Sequence, residues 1–182
     1  MNMRLASFRY EEIKKIVVKF FADCEINTMP ISGFEIAIKL DIKVIPYSAF
    51  KHQEGIVEIM KKLSDEGFSD GSRIFYNDDG SNSYERINWT IMHEIAHILL
   101  EHSEDSEVAE AEAQFFTGFA IAPPVLVHKL DIKDFWEVSN TFGLSMEASV
   151  YAFNRYKKWL QYGGKYYTDY EIQLCKAFGI AV

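Results

Sequence analysis

His93-Glu94-Ile95-Ala96-His97 is the stretch of this sequence whose residue types and spacing can do chemistry. Two histidines four apart on a helix project from one face, close enough for both imidazoles to reach one metal ion. Glu94 then lies beside the remaining open coordination position, where it can take a proton from a metal-bound water. The competing reading is a buried helix with two satisfied core histidines, and the apolar neighbours Ile91, Met92, Ile98 and Leu99 suit it. Burying two imidazoles and a carboxylate on so apolar a helix requires compensation for their lost hydration, which a metal supplies.

A metal site needs a third ligand, and the segment after Leu100 offers Glu101, Glu104, Asp105, Glu107, Glu110 and Glu112 without one Lys or Arg among them. Most of these suit a solvated helix start favoured by the helix dipole. The expected arrangement is two antiparallel helices joined near His102-Ser103-Glu104-Asp105, with Asp105 or Ser106 as the second N-cap. Counted from that hairpin, His97 lies seven residues back and Glu110 six forward, at similar height, so Glu110 is the expected third ligand. Glu112 points to another side of the helix. Gln114 shares the face of Glu110 and is expected to hydrogen-bond a ligand. His102, the rival third ligand, lies far round a continued helix, and no H-E-x-x-H-x-x-G-x-x-H pattern is present.

The elements that must position these residues follow from hydrophobic spacing and turn residues. Helices are expected over 10–22, 33–40 (capped by Ser32) and 51–63, with a short strand over 42–45 ending at Pro46. Arg73-Ile74-Phe75-Tyr76-Asn77 reads as the best strand, placed where zinc peptidases commonly keep an edge strand for the substrate backbone; an ordinary sheet strand fits equally. Asn82 with Glu85 reads as a capping box for the metal-site helix. The next helix is expected to stop at Pro123-Pro124. Helical spacing resumes through Phe135, Val138 and Phe142, then from Met146 to about Gln161, stopping at Gly163-Gly164. Thr168 and Glu171 cap a last helix ending near Gly179.

Composition narrows the functional classes. The 182 residues, nearly half of them apolar and 15% aromatic, suffice for one globular domain with a real core. The net charge of −8 argues against a nucleic-acid footprint spread over the surface. The N-terminal residues meet Arg9, Glu11, Glu12, Lys14 and Lys15 at once, so a secretion signal is not expected, and no apolar run approaches a membrane span. Cys24 and Cys175 match no ligand spacing and are expected as reduced thiols in the cytoplasm. Val138 to Ser145 followed by a helix has the outline of a helix-turn-helix, but Arg155, Lys157 and Lys158 lie towards the far end of its second helix, away from where bases are read. Nucleic acid is therefore not an expected partner. His52 and His128 have no partner spacing.

From about Arg73 to Tyr156 the sequence resembles the ImmA/IrrE family of metallo-endopeptidases, H-E-x-x-H zinc peptidases of the gluzincin type. The resemblance rests on Ile74-Phe75-Tyr76-Asn77, Arg86-Ile87-Asn88-Trp89-Thr90, His93-Glu94-Ile95-Ala96-His97 and Glu110-Ala111-Glu112-Ala113-Gln114. It extends through a helix ending at Pro123 and the Phe142-Gly143-Leu144-Ser145 turn. Gln114 departs from the usual Asn or Asp, and Gly118-Phe119-Ala120-Ile121-Ala122-Pro123 from a more leucine-rich end. The resemblance implies a cytoplasmic, zincin-like protein of a phage or mobile element that cleaves a transcriptional repressor, or a stress-response regulator.

The expectation is thus a single α+β metallopeptidase domain over residues 1–182, mostly helical, with a small β-sheet next to the H-E-x-x-H helix. Residues 1–72 form its helical N-terminal part, 73–122 the strand and metal-site helices, and 123–182 the C-terminal helices. One zinc is held by His93, His97 and Glu110 with water in the fourth place, and Glu94 is the catalytic base. Tyr76, Tyr84, Arg86 and His128 are open candidates for the oxyanion donor. The alternative is a zinc-stabilised regulator that binds a repressor or DNA without proteolysis.

Overall fold

The computed structural model describes residues 4–104, 106–163 and 166–182. They form a mostly helical α+β structure with a small three-stranded mixed sheet. Two compact units divide the chain, Ser32–Ala113 and a second made of Met1–Ile31 with Gln114–Val182. Among the described residues no helix is long and apolar enough to cross a membrane.

The Ser32–Ala113 unit begins with α1, Gly33–Lys39, whose first turn is closed by the Ser32 hydroxyl accepting from the Glu35 N–H at 3.3 Å. Strand β1, Lys43–Pro46, leads into a 3-10 turn, Tyr47–Phe50. Helix α2, Ile56–Leu63, starts five residues later than the expected 51 because Gly55, at φ 76°, turns the chain left-handed just before it. Strands β2, Gly67–Ser69, and β3, Arg73–Tyr76, complete a sheet of order β1-β3-β2. β1 runs parallel to β3 (Lys43 opposite Arg73) and β2 antiparallel to it (Gly67 opposite Tyr76). Of the two readings of Arg73–Asn77, the ordinary sheet strand holds and the edge strand is corrected. β3 is central, with both hydrogen-bonding sides occupied, and the three-residue β2 is an element additional to those expected. Tyr47, Met60 and Phe75 bury the small core beneath this sheet, with Ile45, Phe50, Ile56, Val57 and Phe68 packed around them.

The metal-site helix, α3, runs Tyr84–Leu99 and packs on the sheet and on α1. Its cap is Ser83, whose hydroxyl accepts from the Arg86 N–H, and not Asn82, whose amide instead donates to the Asn77 carbonyl at 3.1 Å. Two glycines let neighbouring elements approach α3. The Gly33 N–H donates to Asn88 Oδ1 at 2.7 Å, and a Cβ on Gly33 would meet Ile91 Cγ2 at 2.9 Å. A Cβ on Gly67 would meet Thr90 Cγ2 at 2.7 Å. After α3 the chain turns through Glu101, at φ 56°, and enters α4, Glu107–Ile121. Ser106 caps α4, its hydroxyl accepting from the Ala109 N–H at 3.1 Å; the alternative cap, Asp105, lies outside the described residues.

In the other unit, the N-terminal helix Ser7–Asp23 packs against the last helix, Asp169–Ala177, which carries the expected Thr168–Glu171 capping box. Phe20 meets Phe116 at a ring distance of 6.0 Å, and Tyr10 meets Phe115 edge-on at 4.6 Å. A helix absent from the expectation, Pro124–Lys129, follows α4. Helices Phe135–Phe142 and Met146–Tyr162 pack together across Gly143, which is left-handed at φ 62°, and Ser145 caps the second. That helix ends at Gly163; Gly164, expected to share the stop, is outside the described residues. Arg155 turns its guanidinium inwards to donate to the Gly118 and Ala122 carbonyls at the end of α4, and burial pulls its pKa down to about 10. Cys24 and Cys175 are both buried.

Candidate metal centre

Helical pitch places His93 and His97 one turn apart on the same face of α3, with their Nε2 atoms 3.1 Å apart. Glu110, in the first turn of α4, reaches across with both oxygens, Oε2 at 3.3 Å from His93 Nε2 and Oε1 at 3.2 Å from His97 Nε2. The structure thus brings together the three residues expected as ligands, with ligand atoms all within 4.8 Å of one another. The histidines are half-buried and the Glu110 side chain is 57% exposed, so the cluster opens to solvent on the carboxylate side.

Counting protons tests whether these atoms suit a cation. Each Nε2 carries at most one hydrogen. If both donate to Glu110, the two N–H groups confront each other at 3.1 Å; if one donates to the other nitrogen, a contact to Glu110 is left weak. The three contacts cannot all be good hydrogen bonds at once, whereas one central cation satisfies all three lone pairs. The observed separations of 3.1–3.3 Å also approach the edges of about 3.3–3.5 Å of a tetrahedron built on zinc–ligand bonds of about 2.0–2.2 Å. The residues fit a divalent metal.

Glu94 is held separately. Its carboxylate accepts hydrogen bonds from the Ser69 hydroxyl and the Ser69 N–H, on edge strand β2. Burial is the main influence pushing the Glu94 pKa up, with the Glu110 charge adding to it; His93 and the Ser69 bonds oppose the rise. Glu110 moves the other way, held down first by its hydrogen bond to His93. Tyr47 also feels Glu94: its pKa is pushed up to about 12 by burial and then by that charge, while its hydroxyl donates to the Ser64 carbonyl at 3.0 Å. No pattern in the sequence marks Ser69, because a Gly-Phe-Ser strand beside an Asp-Gly turn lacks a readable strand pattern.

No protein-family model, no curated protein and no solved structure matches the chain. The functional reading therefore rests on the site's own geometry and on the motifs.

The remaining expected residues fall in varied places. His102 is not a third ligand: its Nδ1 lies 3.0 Å from Nδ1 of His97, on the ring edge opposite the ligand nitrogen, and its Nε2 lies 3.1 Å from Glu112 Oε2. It occupies the supporting place expected of Gln114, which is solvent-exposed. The reading of His102 as far round a continued helix fails because α3 stops at Leu99, and left-handed Glu101 folds the chain back. Among the oxyanion candidates, Arg86 is paired with Glu66, and His128, in the other unit, contacts the Tyr156 hydroxyl at 3.2 Å. Tyr76 is half-buried edge-on against Phe34 and Tyr84 is exposed. Among the described residues neither phenol is hydrogen-bonded.

Proposed function

We propose that the chain is a zinc-dependent endopeptidase that hydrolyses a peptide bond in a specific protein partner. The observation carrying this reading is the convergence of His93, His97 and both Glu110 oxygens into contacts that protons alone cannot satisfy, one residue from a carboxylate fixed independently by Ser69. The motif resemblance to ImmA/IrrE peptidases supports a transcriptional repressor as the substrate class and the cytoplasm as the setting.

His93 and His97 would hold the metal through Nε2, and Glu110 through a carboxylate oxygen. When bound, zinc supplies Lewis acidity that polarises a carbonyl and acidifies water. Glu94 is the proton carrier: its carboxylate takes a proton from the attacking water and passes it to the departing amine, so each turnover returns it to its starting state. A pKa raised by burial suits that task, since a carboxylate closer to neutral both accepts and releases a proton readily. The Ser69 bonds limit the rise and fix the carboxylate's position. The uncommitted hydroxyls of Tyr76 and Tyr84 are the phenols left to stabilise the oxyanion.

The test pairs metal content with cleavage of a candidate repressor. Wild type is expected to carry about one zinc per chain, Glu110→Ala to lose it on dialysis, and Glu94→Gln to keep it while losing cleavage. Cleavage persisting in Glu94→Gln refutes the mechanism, and absence of zinc from the wild type refutes the metal site.

A further inference from the structure

Behind the metal-facing edge of His97 lies a partly buried relay of side chains. His97 Nδ1 is 3.0 Å from Nδ1 of His102, and His102 Nε2 is 3.1 Å from Oε2 of Glu112, whose side chain is 9% exposed. All three residues lie in the Ser32–Ala113 unit. The backbone sets this up. At the C-terminus of α3 the Glu101 N–H donates to Ile98 O at 3.1 Å and the His102 N–H to His97 O at 3.0 Å. This is the paired 5→2 and 6→1 bonding of a Schellman turn, with Glu101 left-handed at φ 56°. The turn carries His102 back alongside His97 and fixes it by main chain as well as side chain.

We propose that His102 and Glu112 are positioning residues that fix the tautomer and orientation of His97 as a metal ligand; this rests on the metal-site reading above. The proton positions follow from the two ends. At one end, Nε2 of His97 faces His93 and Glu110 and must offer a lone pair to a metal, so the ring's only proton sits on Nδ1. That N–H donates to Nδ1 of His102, which must then be bare. At the other end, the Glu112 carboxylate can only accept, so Nε2 of His102 carries its proton and donates to Oε2. Each proton location demanded from the metal end agrees with the one demanded from the carboxylate end. An acceptor placed behind the ring in this way holds a ligand imidazole in one orientation, the role that carboxylates and carbonyls commonly serve behind ligand imidazoles. His93 has no such partner among the hydrogen bonds of the described residues, so the support is specific to His97.

The test uses the full chain with zinc alone as probe, by chelator competition on wild type, His102→Phe and Glu112→Gln, each checked for folding. The zinc dissociation constant is expected to rise about 10- to 100-fold in His102→Phe. A smaller rise is expected in Glu112→Gln, whose amide oxygen still accepts from Nε2–H without the charge. A role confined to fold stability would lower the melting temperature and leave zinc affinity unchanged. In the zinc-loaded wild type, long-range proton–nitrogen NMR should find His97 protonated at Nδ1 and His102 at Nε2. Unchanged affinity in both folded variants overturns the proposal, as does a His102 proton on Nδ1. If the variants do not fold, the wild-type tautomers decide. Failure of the wild type to bind zinc at all marks the metal-site reading, and this proposal with it, as wrong.

Discussion

Gly67→Ala tests how the sheet positions the site. A Cβ at Gly67 would lie 2.7 Å from Thr90 Cγ2 on α3 and 2.8 Å from the Phe75 carbonyl oxygen on β3. Comfortable contacts between carbon atoms begin at about 3.5 Å, so β2 must withdraw by close to 1 Å. Thr90 is buried and cannot swing away, and Phe75 O belongs to backbone. Overpacking of this kind costs about 1–3 kcal/mol, which in a chain of this length lowers the melting temperature by about 2–12 °C. Ser69, two residues along β2, moves with it, and its two hydrogen bonds to Glu94 are stretched or lost. Urea unfolding measures the first effect, and hydrogen exchange at the Ser69 amide, expected to accelerate, measures the second. Thr90→Ser removes the Cγ2 contact but leaves Phe75 O in place, so in that background the cost should fall by about 1 kcal/mol without vanishing. A Gly67→Ala cost below about 0.5 kcal/mol, or one indifferent to Thr90→Ser, would refute the seating of β2 on α3.

Two further predictions concern carboxylates that accept several hydrogen bonds. Asp70 closes the β2–β3 turn by accepting from the Ser72 and Arg73 N–H groups and from the Arg73 side chain, which is the main reason its pKa is lowered to about 2. Because the folded value lies below the ordinary 3.8, its contribution is present above about pH 4 and is lost as pH falls towards 2. The stability difference between wild type and Asp70→Asn, measured by urea unfolding across pH 2–6, should shrink within that window; a difference that grows there contradicts the assignment. Glu171 is buried and accepts from Trp159 Nε1 at 2.5 Å and from the Thr168 N–H and hydroxyl at 2.7 and 2.8 Å. Glu171→Ala removes the capping box and strands the indole donor. About 2–4 kcal/mol of destabilisation with a shift in tryptophan emission is expected, against no more than about 1 kcal/mol if only the cap matters.

The helix carrying His93, Glu94 and His97 was legible because helical periodicity is local, and Glu110 was legible because a tight hairpin lets residues be counted from one helix onto the next. The sheet was harder. β3 gains its parallel partner from β1, some thirty residues away, and nothing in a four-residue strand announces a neighbour so distant. In sequence Pro123-Pro124 signals only a stop, yet Pro124 occupies the first helical position of Pro124–Lys129, where a missing N–H costs nothing, so one proline pair ends one helix and opens another.

His102 shows most clearly where periodicity ceases to apply. Carried on as α-helix, five residues after His97 points away from it; folded through a left-handed Glu101, the same residue lies against His97 at 3.0 Å. Glycine is the usual signal for such a reversal, and here a glutamate adopts it, so the sequence held no mark of the turn. The parts of the site that follow from repeating geometry, two ligands on one helix and a third across the hairpin, could be counted out. The parts that orient them, Ser69 on an edge strand and His102 beyond a helix end, depend on single backbone events. Site residues within a regular element can thus be read from spacing, whereas those that sit where an element ends require coordinates.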